Sequence, residues 1–308
     1  MLRFLLQRLL TGIPTLLVLV AAAFFLMRAA PGGPFDSERQ LPPEIEANLR
    51  SAYHLDESLP QQFLRYLGNL ARGDFGPSLQ YRDFSVGELI WAGFPVSLRI
   101  GALAMLLALV VGVAAGAWAA LRQNSAGDHA VMALAMTGIS IPNFVMAPLL
   151  VLLLAVGLGW LPAGGYGGGS WRHLVLPVFT LALPQVAWLA RLTRASMIEV
   201  LASPFIRTAR AQGLGLRTIL LRHALKPALL PVVSYLGPAT AGIITGSVVI
   251  EQIFGLPGIG RFFITGALNR DYTLVMGVVV FYGTVILVCN LLVDLVYGWL
   301  DPRIRQLA

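Results

Sequence analysis

Few side chains in this chain of 308 residues could do covalent or acid–base chemistry. Its four histidines, His54, His129, His173 and His223, are scattered along the sequence, and their spacing builds no metal site. Cys289 is the single cysteine, which excludes an intrachain disulfide and a cysteine-cluster metal site. The single lysine, Lys226, follows Ala224-Leu225, so no G-x-x-x-x-G-K-[ST] loop is available to cradle a nucleotide phosphate. Neither H-E-x-x-H nor G-x-S-x-G occurs. The reading is therefore no catalytic residue, no metal and no cofactor in this chain. One carboxylate, Asp294, ends an apolar run, with Asn290 one helical turn before it. A carboxylate in such a place is a functional candidate by default. Lying near the end of the run, it reads better as a structural pair with an arginine or water than as a proton relay.

The elements that must position these residues are apolar. Hydrophobic residues make up 57% of the chain and charged ones 12%, against about 25% charged in a soluble domain. That excludes disorder, a nucleic-acid binder and an ordinary soluble enzyme. A membrane helix needs roughly 20 apolar residues, and six runs qualify: Leu9 to Met27, Ile100 to Leu121, about 131–157, Leu174 to Ala190, Pro227 to Ile250 and Tyr272 to Val293. Breaks or kinks are expected at Gly138-Ile139-Ser140-Ile141-Pro142, at Pro177 and Pro184, and at Gly237-Pro238. The first run is too long for a signal-peptide core, and Arg28 stands where a cleavage site wants a small residue. It reads as a retained helix.

Charge sorts the loops. With the N-terminus inside, the inner segments hold twelve basic residues against Asp128, Glu199 and Asp301. The first outer segment, about 29–98, holds five arginines against nine acids. This is the asymmetry of the positive-inside rule, and it puts both termini in the cytoplasm. It also accounts for the net charge of +7 without a nucleic-acid partner. The expected organisation is an N-terminal transmembrane helix at 1–28, an external segment with short helices at 29–98, a five-helix core at 99–300 and a cytoplasmic tail at 301–308. The external segment reads as a cap over the helices, a reading compatible with a docking surface.

Inside the core, residues 199–226 lie on the cytoplasmic side. Ser203-Pro204 resembles a helix start, with Ser as N-cap and Pro at the first position. Phe205, Ile206 and Ala209 are expected on one face and Arg207 and Arg210 on another. Gly213 suits the left-handed position that closes a helix. A second short helix runs from Leu216 to Leu225. Its arginines could anchor lipid headgroups, or the segment could dock into a cytosolic partner; the residues alone leave both open.

The same stretch resembles the coupling signature of permease subunits in ABC-type importers. Arg207-Thr208-Ala209, three residues, Gly213 and the run to His223-Ala224-Leu225-Lys226-Pro227 match its spacing. Arg207 and Thr208 replace the family's Glu-Ala, as in its peptide/nickel branch. Arg28-Ala29-Ala30-Pro31-Gly32, Gly73-Asp74-Phe75-Gly76, Gly255-Leu256-Pro257-Gly258-Ile259-Gly260 and Asp301-Pro302-Arg303 are similar to that branch. Pro34-Phe35, Leu41-Pro42-Pro43-Glu44 and Tyr53-His54-Leu55 are similar to B-type oligopeptide permease subunits.

The resemblance covers essentially the whole chain and implies an all-α, type I importer permease fold in a bacterial inner membrane. It implies transport of oligopeptides, with dipeptides, glutathione, haem or nickel as alternatives inside the family and a stand-alone secondary transporter as the rival outside it. The implied partners are a second homologous permease, two ATPase subunits carrying ATP and Mg, and an extracytoplasmic peptide-binding protein. Arg207, Thr208, Ala209, Arg210, Gly213, Leu214 and His223 would contact the ATPase. Gly255, Pro257, Gly258 and Gly260 would form an external loop near the path. Asn143, Gly242, Gly246 and Glu251 are the candidate path positions.

Overall fold

The computed structural model describes residues 2–29, 48, 51, 54–81 and 83–300. Among them no strand longer than an isolated bridge between Pro77 and Ser85 occurs; the rest is helix and loop. The helices are α1 (Leu2–Ala29), α2 (Leu59–Leu70), α3 (Val86–Leu121), α4 (Ala126–Ser140), α5 (Asn143–Gly157), α6 (Trp171–Ala202), α7 (Pro204–Ala211), α8 (Leu216–Ala228), α9 (Leu230–Gly246), α10 (Val248–Phe254), α11 (Ile259–Leu268) and α12 (Tyr272–Leu300). The motifs expected within 30–47, Tyr53 and the 301–308 tail lie outside the described residues.

Four helices, α1, α3, α6 and α12, are long and apolar enough to cross a bilayer unbroken. The third and fifth expected spans are bent instead. Between α4 and α5 the chain turns by 103°. Ile141 adopts φ −94°, ψ 116°, the extended conformation forced on a residue before proline, and Pro142 then starts α5. Between α8 and α9 the bend is 49°. It falls at Leu229, two residues before Pro231, whereas Gly237-Pro238 lies within the continuous α9. Pro177 and Pro184 likewise sit inside a continuous α6.

Helix α3 has 36 residues, about 54 Å at 1.5 Å per residue, far beyond a hydrocarbon core of about 30 Å. The boundary drawn at 98/99 therefore falls within one helix. Its start is fixed by a reciprocal cap. The Ser85 N–H donates to Glu88 Oε2 at 2.7 Å, and the Glu88 N–H donates to Ser85 Oγ at 3.2 Å.

The described residues form two compact units. One contains 2–6, 97–256 and 286–300, the other the described parts of 7–96 and 257–285. In the first, α6 is the hub, packed by α4, α5, α7, α8, α9 and α10. Helix α3 crosses it through Gly112-Val113-Ala114-Ala115-Gly116, a G-x-x-x-G spacing that lets backbones approach closely. A Cβ on Gly112 would lie 2.7 Å from Leu189 Cβ, and one on Gly116 would lie 2.8 Å from Thr193 Cβ. Gly138 of α4 meets the Leu183 carbonyl in the same way, at 3.0 Å. The α4 start is tied down by an ion pair. Arg194 Nε and Nη2 both donate to the buried Asp128 carboxylate at 2.6 Å.

In the second unit, Val20 and Phe24 of α1 pack with Met276 and Val280 of α12, and Phe63, Tyr66 and Leu67 of α2 cover them. The Phe24 and Phe63 rings lie 5.2 Å apart. Burial pushes the Tyr66 phenol pKa up, and its hydroxyl has no partner among the described residues. Asp271 is the polar knot of this unit. It is fully buried and caps α12 through the Leu274 N–H at 3.0 Å. Its other oxygen accepts from Ser78 Oγ at 2.5 Å and the Gln80 N–H at 3.0 Å. A single carboxylate thus joins the loop before α3 to the start of α12.

Candidate functional site

Helices α7 and α8 form a hairpin on the end of α6. Ser203, at φ −66° and ψ 153°, opens α7, and its carbonyl takes the first helical bond from the Arg207 N–H at 3.2 Å. Its hydroxyl does not cap α7, as the Ser-Pro pair suggests. It donates backward to the Val200 carbonyl at 2.6 Å, closing α6 instead. The α7 end is a complete glycine cap. Gly213 has φ +79°, its N–H donates to the Arg210 carbonyl at 2.9 Å, and the Leu214 N–H reaches back to the Ala209 carbonyl at 3.3 Å. These are the two bonds of a Schellman motif, and Leu214 packs on the same apolar cluster as Ala209.

That cluster holds the hairpin. Ile206 and Ala209 of α7, Ile219, Ala224 and Ala228 of α8, Met197 of α6 and Ala120 of α3 are all buried together. Burying Ile206 alone contributes about 2 kcal/mol. The α8 positions are spaced five and then four apart. Five α-helical residues turn about 500°, which would leave Ile219 and Ala224 some 140° apart around the axis. Residues Ile219–Ala224 are wound as a π-helix, whose wider i→i+5 turn brings positions five apart much closer to one face. The wide turn is what lets both side chains enter one cluster.

The opposite face of the hairpin is open. Arg207, Thr208, Arg210 and Gly213 are exposed, His223 and Leu214 are half-buried, and Ala209 is buried. Phe205 departs from the expectation: it is 49% exposed rather than buried with Ile206 and Ala209. It stands about 100° from Ile206 and about 40° from Ala209 around α7, at the edge of the buried face.

The candidate path positions stand in different local surroundings. Gly242 is exposed on α9, with open space where a Cβ would stand. Asn143 is half-buried at the first position of α5, directly after the 103° break. Gly246 is the last residue of α9. Glu251 is fully buried, with Ser247 Oγ donating to its Oε1 at 2.6 Å, so it faces the packed side of α10. In the external loop, Gly255 has φ +63° and closes α10, with the Leu256 N–H bonded to the Glu251 carbonyl at 2.8 Å. Pro257 is exposed, while Gly258 and Gly260 are buried. Gly93 of α3 abuts the Gly258–Ile259 backbone so closely that a Cβ there would lie 2.9 Å from the Ile259 nitrogen.

Several structural anchors were not singled out by residue type. The G-x-x-x-G of α3 is visible in the sequence as a spacing in an apolar helix. Asp271, immediately before an apolar run, carries an N-cap signal. Asp128 follows Ser125 at cap spacing, and the Ser125 hydroxyl accepts its N–H at 3.3 Å. Nothing local announces that Arg194, 66 residues away, is its partner.

Residues 112–306 match the family described as the binding-protein-dependent transport system inner membrane component, and residues 1–82 match the N-terminal region of such membrane components. The chain belongs to this family. The permease is 56% identical over 305 residues to the oligopeptide transport system permease protein OppB of Escherichia coli strain K12, covering 99% of this chain and 100% of that relative. The same protein of Haemophilus influenzae is 54% identical over the same coverage. The dipeptide transport system permease protein DppB of Bacillus subtilis is 44% identical, over 99% of the permease and 98% of DppB. In structure, the permease resembles a chain of the inward-facing MetNI methionine ABC transporter with TM-score 0.57 and 16% identity, covering 69% of the permease and 96% of that chain. The likeness establishes the fold as that of a type I importer permease. With its apolar helices, the permease is a multi-pass inner-membrane protein of an ABC importer.

Proposed function

We propose that the permease carries oligopeptides inward and forms half of their translocation path beside a second, homologous permease. An external peptide-binding protein delivers the substrate. Two ATPase subunits, which hold ATP and Mg, sit on the cytoplasmic side, where both termini of this chain also lie. The observation that carries the substrate class is the identity of 56% over the whole length of an oligopeptide permease, against 44% to a dipeptide permease. The site supports the coupling role. The exposed face of Phe205, Arg207, Thr208 and Arg210 is backed by a buried cluster, so a load on it reaches α6 and α3. The work comes from ATP binding better to one conformer than the other, not from chemistry in this chain.

The test is uptake of labelled di-, tri- and pentapeptides and of nickel by the purified complex in vesicles, with ATP on the cytoplasmic face. Uptake of tri- and pentapeptides supports the proposal. Uptake of dipeptides or nickel alone refutes the oligopeptide assignment and leaves the family intact. Transport by this chain alone, without ATPases, would refute the importer reading.

A further inference from the structure

Helix α9 differs from the long apolar helices in what it exposes. On α1 the exposed large hydrophobics include Val18 and Leu26, on α3 Leu106 and Val110, and on α12 Leu292 and Val296. Lipid tails accept such side chains without cost, being as apolar as leucine. Among its described side chains α9 exposes none of this kind. Its exposed positions are Pro231, Ser234, Pro238 and Gly242, three and four residues apart and therefore on one face. Nothing lies within 4 Å of the place a Cβ on Gly242 would take.

A polar and aromatic cluster joins α9 to α6, and a chain of close contacts holds it together. The Tyr235 hydroxyl of α9 donates to Gln185 Oε1 of α6 at 2.8 Å. The Tyr235 and Trp188 rings lie 6.4 Å apart, and the Arg191 guanidinium lies 4.8 Å from the Trp188 ring centroid. Trp188 is 41% exposed, and Arg191 is exposed beside it. Arg191 makes no ion pair among the described residues, whereas Arg194, one turn on, is held by Asp128. The Gln185 amide nitrogen likewise has no hydrogen-bond partner among the described residues.

Resting on the oligopeptide reading above, we propose that this cluster reads the carboxylate of a peptide in transit. Arg191 takes the carboxylate, Trp188 holds the guanidinium in place, and Gln185, oriented by Tyr235, donates to a peptide carbonyl. The chemistry of the cluster names the occupant. An exposed guanidinium without a carboxylate of its own calls for an anion, and its planar fork matches a carboxylate. The free amide N–H groups of Gln185 call for a carbonyl acceptor. The adjoining face of α9, bare of large apolar side chains, is not built for acyl chains. A helix of another subunit packed on its small residues is the rival occupant.

The test is uptake by the reconstituted importer complex of trialanine and of its C-terminal amide, each supplied on saturated binding protein. The wild type should take up the free acid about tenfold faster than the amide, the weight of a hydrogen bond to a charged group. Arg191→Gln should bring the two rates together, and Arg191→Lys should keep most of the preference. The same loaded binding protein serves all three complexes, so a change in the ratio belongs to the permease. In a Cys289→Ser background, Gly242→Cys should react with a charged, water-soluble thiol reagent. Equal uptake of acid and amide by the wild type, or an unchanged ratio in Arg191→Gln, overturns the inference and leaves the oligopeptide reading standing. Uptake of neither form overturns both. A Gly242→Cys complex that is inert to the reagent in every nucleotide state, or that cross-links efficiently to another subunit, places lipid or protein on this face and overturns the inference as well.

Discussion

Replacing Gly213 isolates backbone conformation from contact. The residue stands at φ +79°, and nothing lies within 4 Å of the place a Cβ would take. A side chain there meets no neighbour, so its cost is conformational. An L-residue in the left-handed region costs about 1–2 kcal/mol, which shifts the closed turn towards opening by roughly 5- to 30-fold, since about 1.4 kcal/mol is tenfold. Asn visits this region routinely, while a β-branched residue there is a genuine outlier. The expected order of ATP-driven uptake is therefore Gly, then Gly213→Asn within about threefold, then Gly213→Ala, then Gly213→Val, each strain estimate resting on the same left-handed penalty. Uptake and ATP hydrolysis are measured together in proteoliposomes at matched complex content. Hydrolysis should fall less than uptake, because the cap shapes the face proposed to receive the push. Equal uptake in all four would refute a strained closing turn. An Asn variant as poor as Val would refute the conformational account and point to a partner atom occupying the open space.

Other perturbations have outcomes of their own. Gly116→Leu places a side chain against Thr193 and the Ala190 carbonyl, with Thr193 Cβ only 2.8 Å from the new Cβ; the yield of monodisperse complex on size exclusion should collapse, whereas Gly242→Ala, in open space, should leave it unchanged. Asp271→Ala removes the α12 cap and the Ser78 and Gln80 bonds, at about 2 kcal/mol for the cap together with stranded donors; amide exchange over 76–81 should accelerate by at least tenfold, and unchanged protection would refute the knot. Tyr66→Phe deletes a buried hydroxyl without a described partner, so thermal unfolding in detergent should be unchanged or rise slightly; a clear fall would reveal a bond to this oxygen.

How much was legible in the sequence depends on how far apart the cooperating residues stand. The apolar runs that become α1, α3, α6 and α12 are local and read directly. So does the Gly213 cap, because only one residue type fits that turn cheaply. The α4–α5 break was signalled by Ile141-Pro142, though its size, 103°, was not. Gly237-Pro238 misled: a proline inside a packed apolar helix is tolerated when neighbouring groups satisfy the freed carbonyl, and the bend moved to Leu229. Phe205 misled because it stands at the edge of the face that Ile206 and Ala209 bury, and helical spacing does not fix where that face ends. The Asp128–Arg194 pair and the two loops that Asp271 joins depend on tertiary contact, and no spacing rule reaches across 66 or 191 residues.

The wide turn in α8 has a mechanical consequence. Between Gly213 and the start of α9 the main chain contains three compliant joints in series: a left-handed glycine, a π-wound stretch and the hinge at Leu229. A strut with three joints transmits little thrust along its length. Force applied to α7 must leave the backbone and travel sideways, through Ile206 and Ala209 into Met197 and Ala120. In the proposed coupling, the stiff members are then α6 and α3, locked at their glycine crossing, and the hairpin is the pad through which they would be loaded.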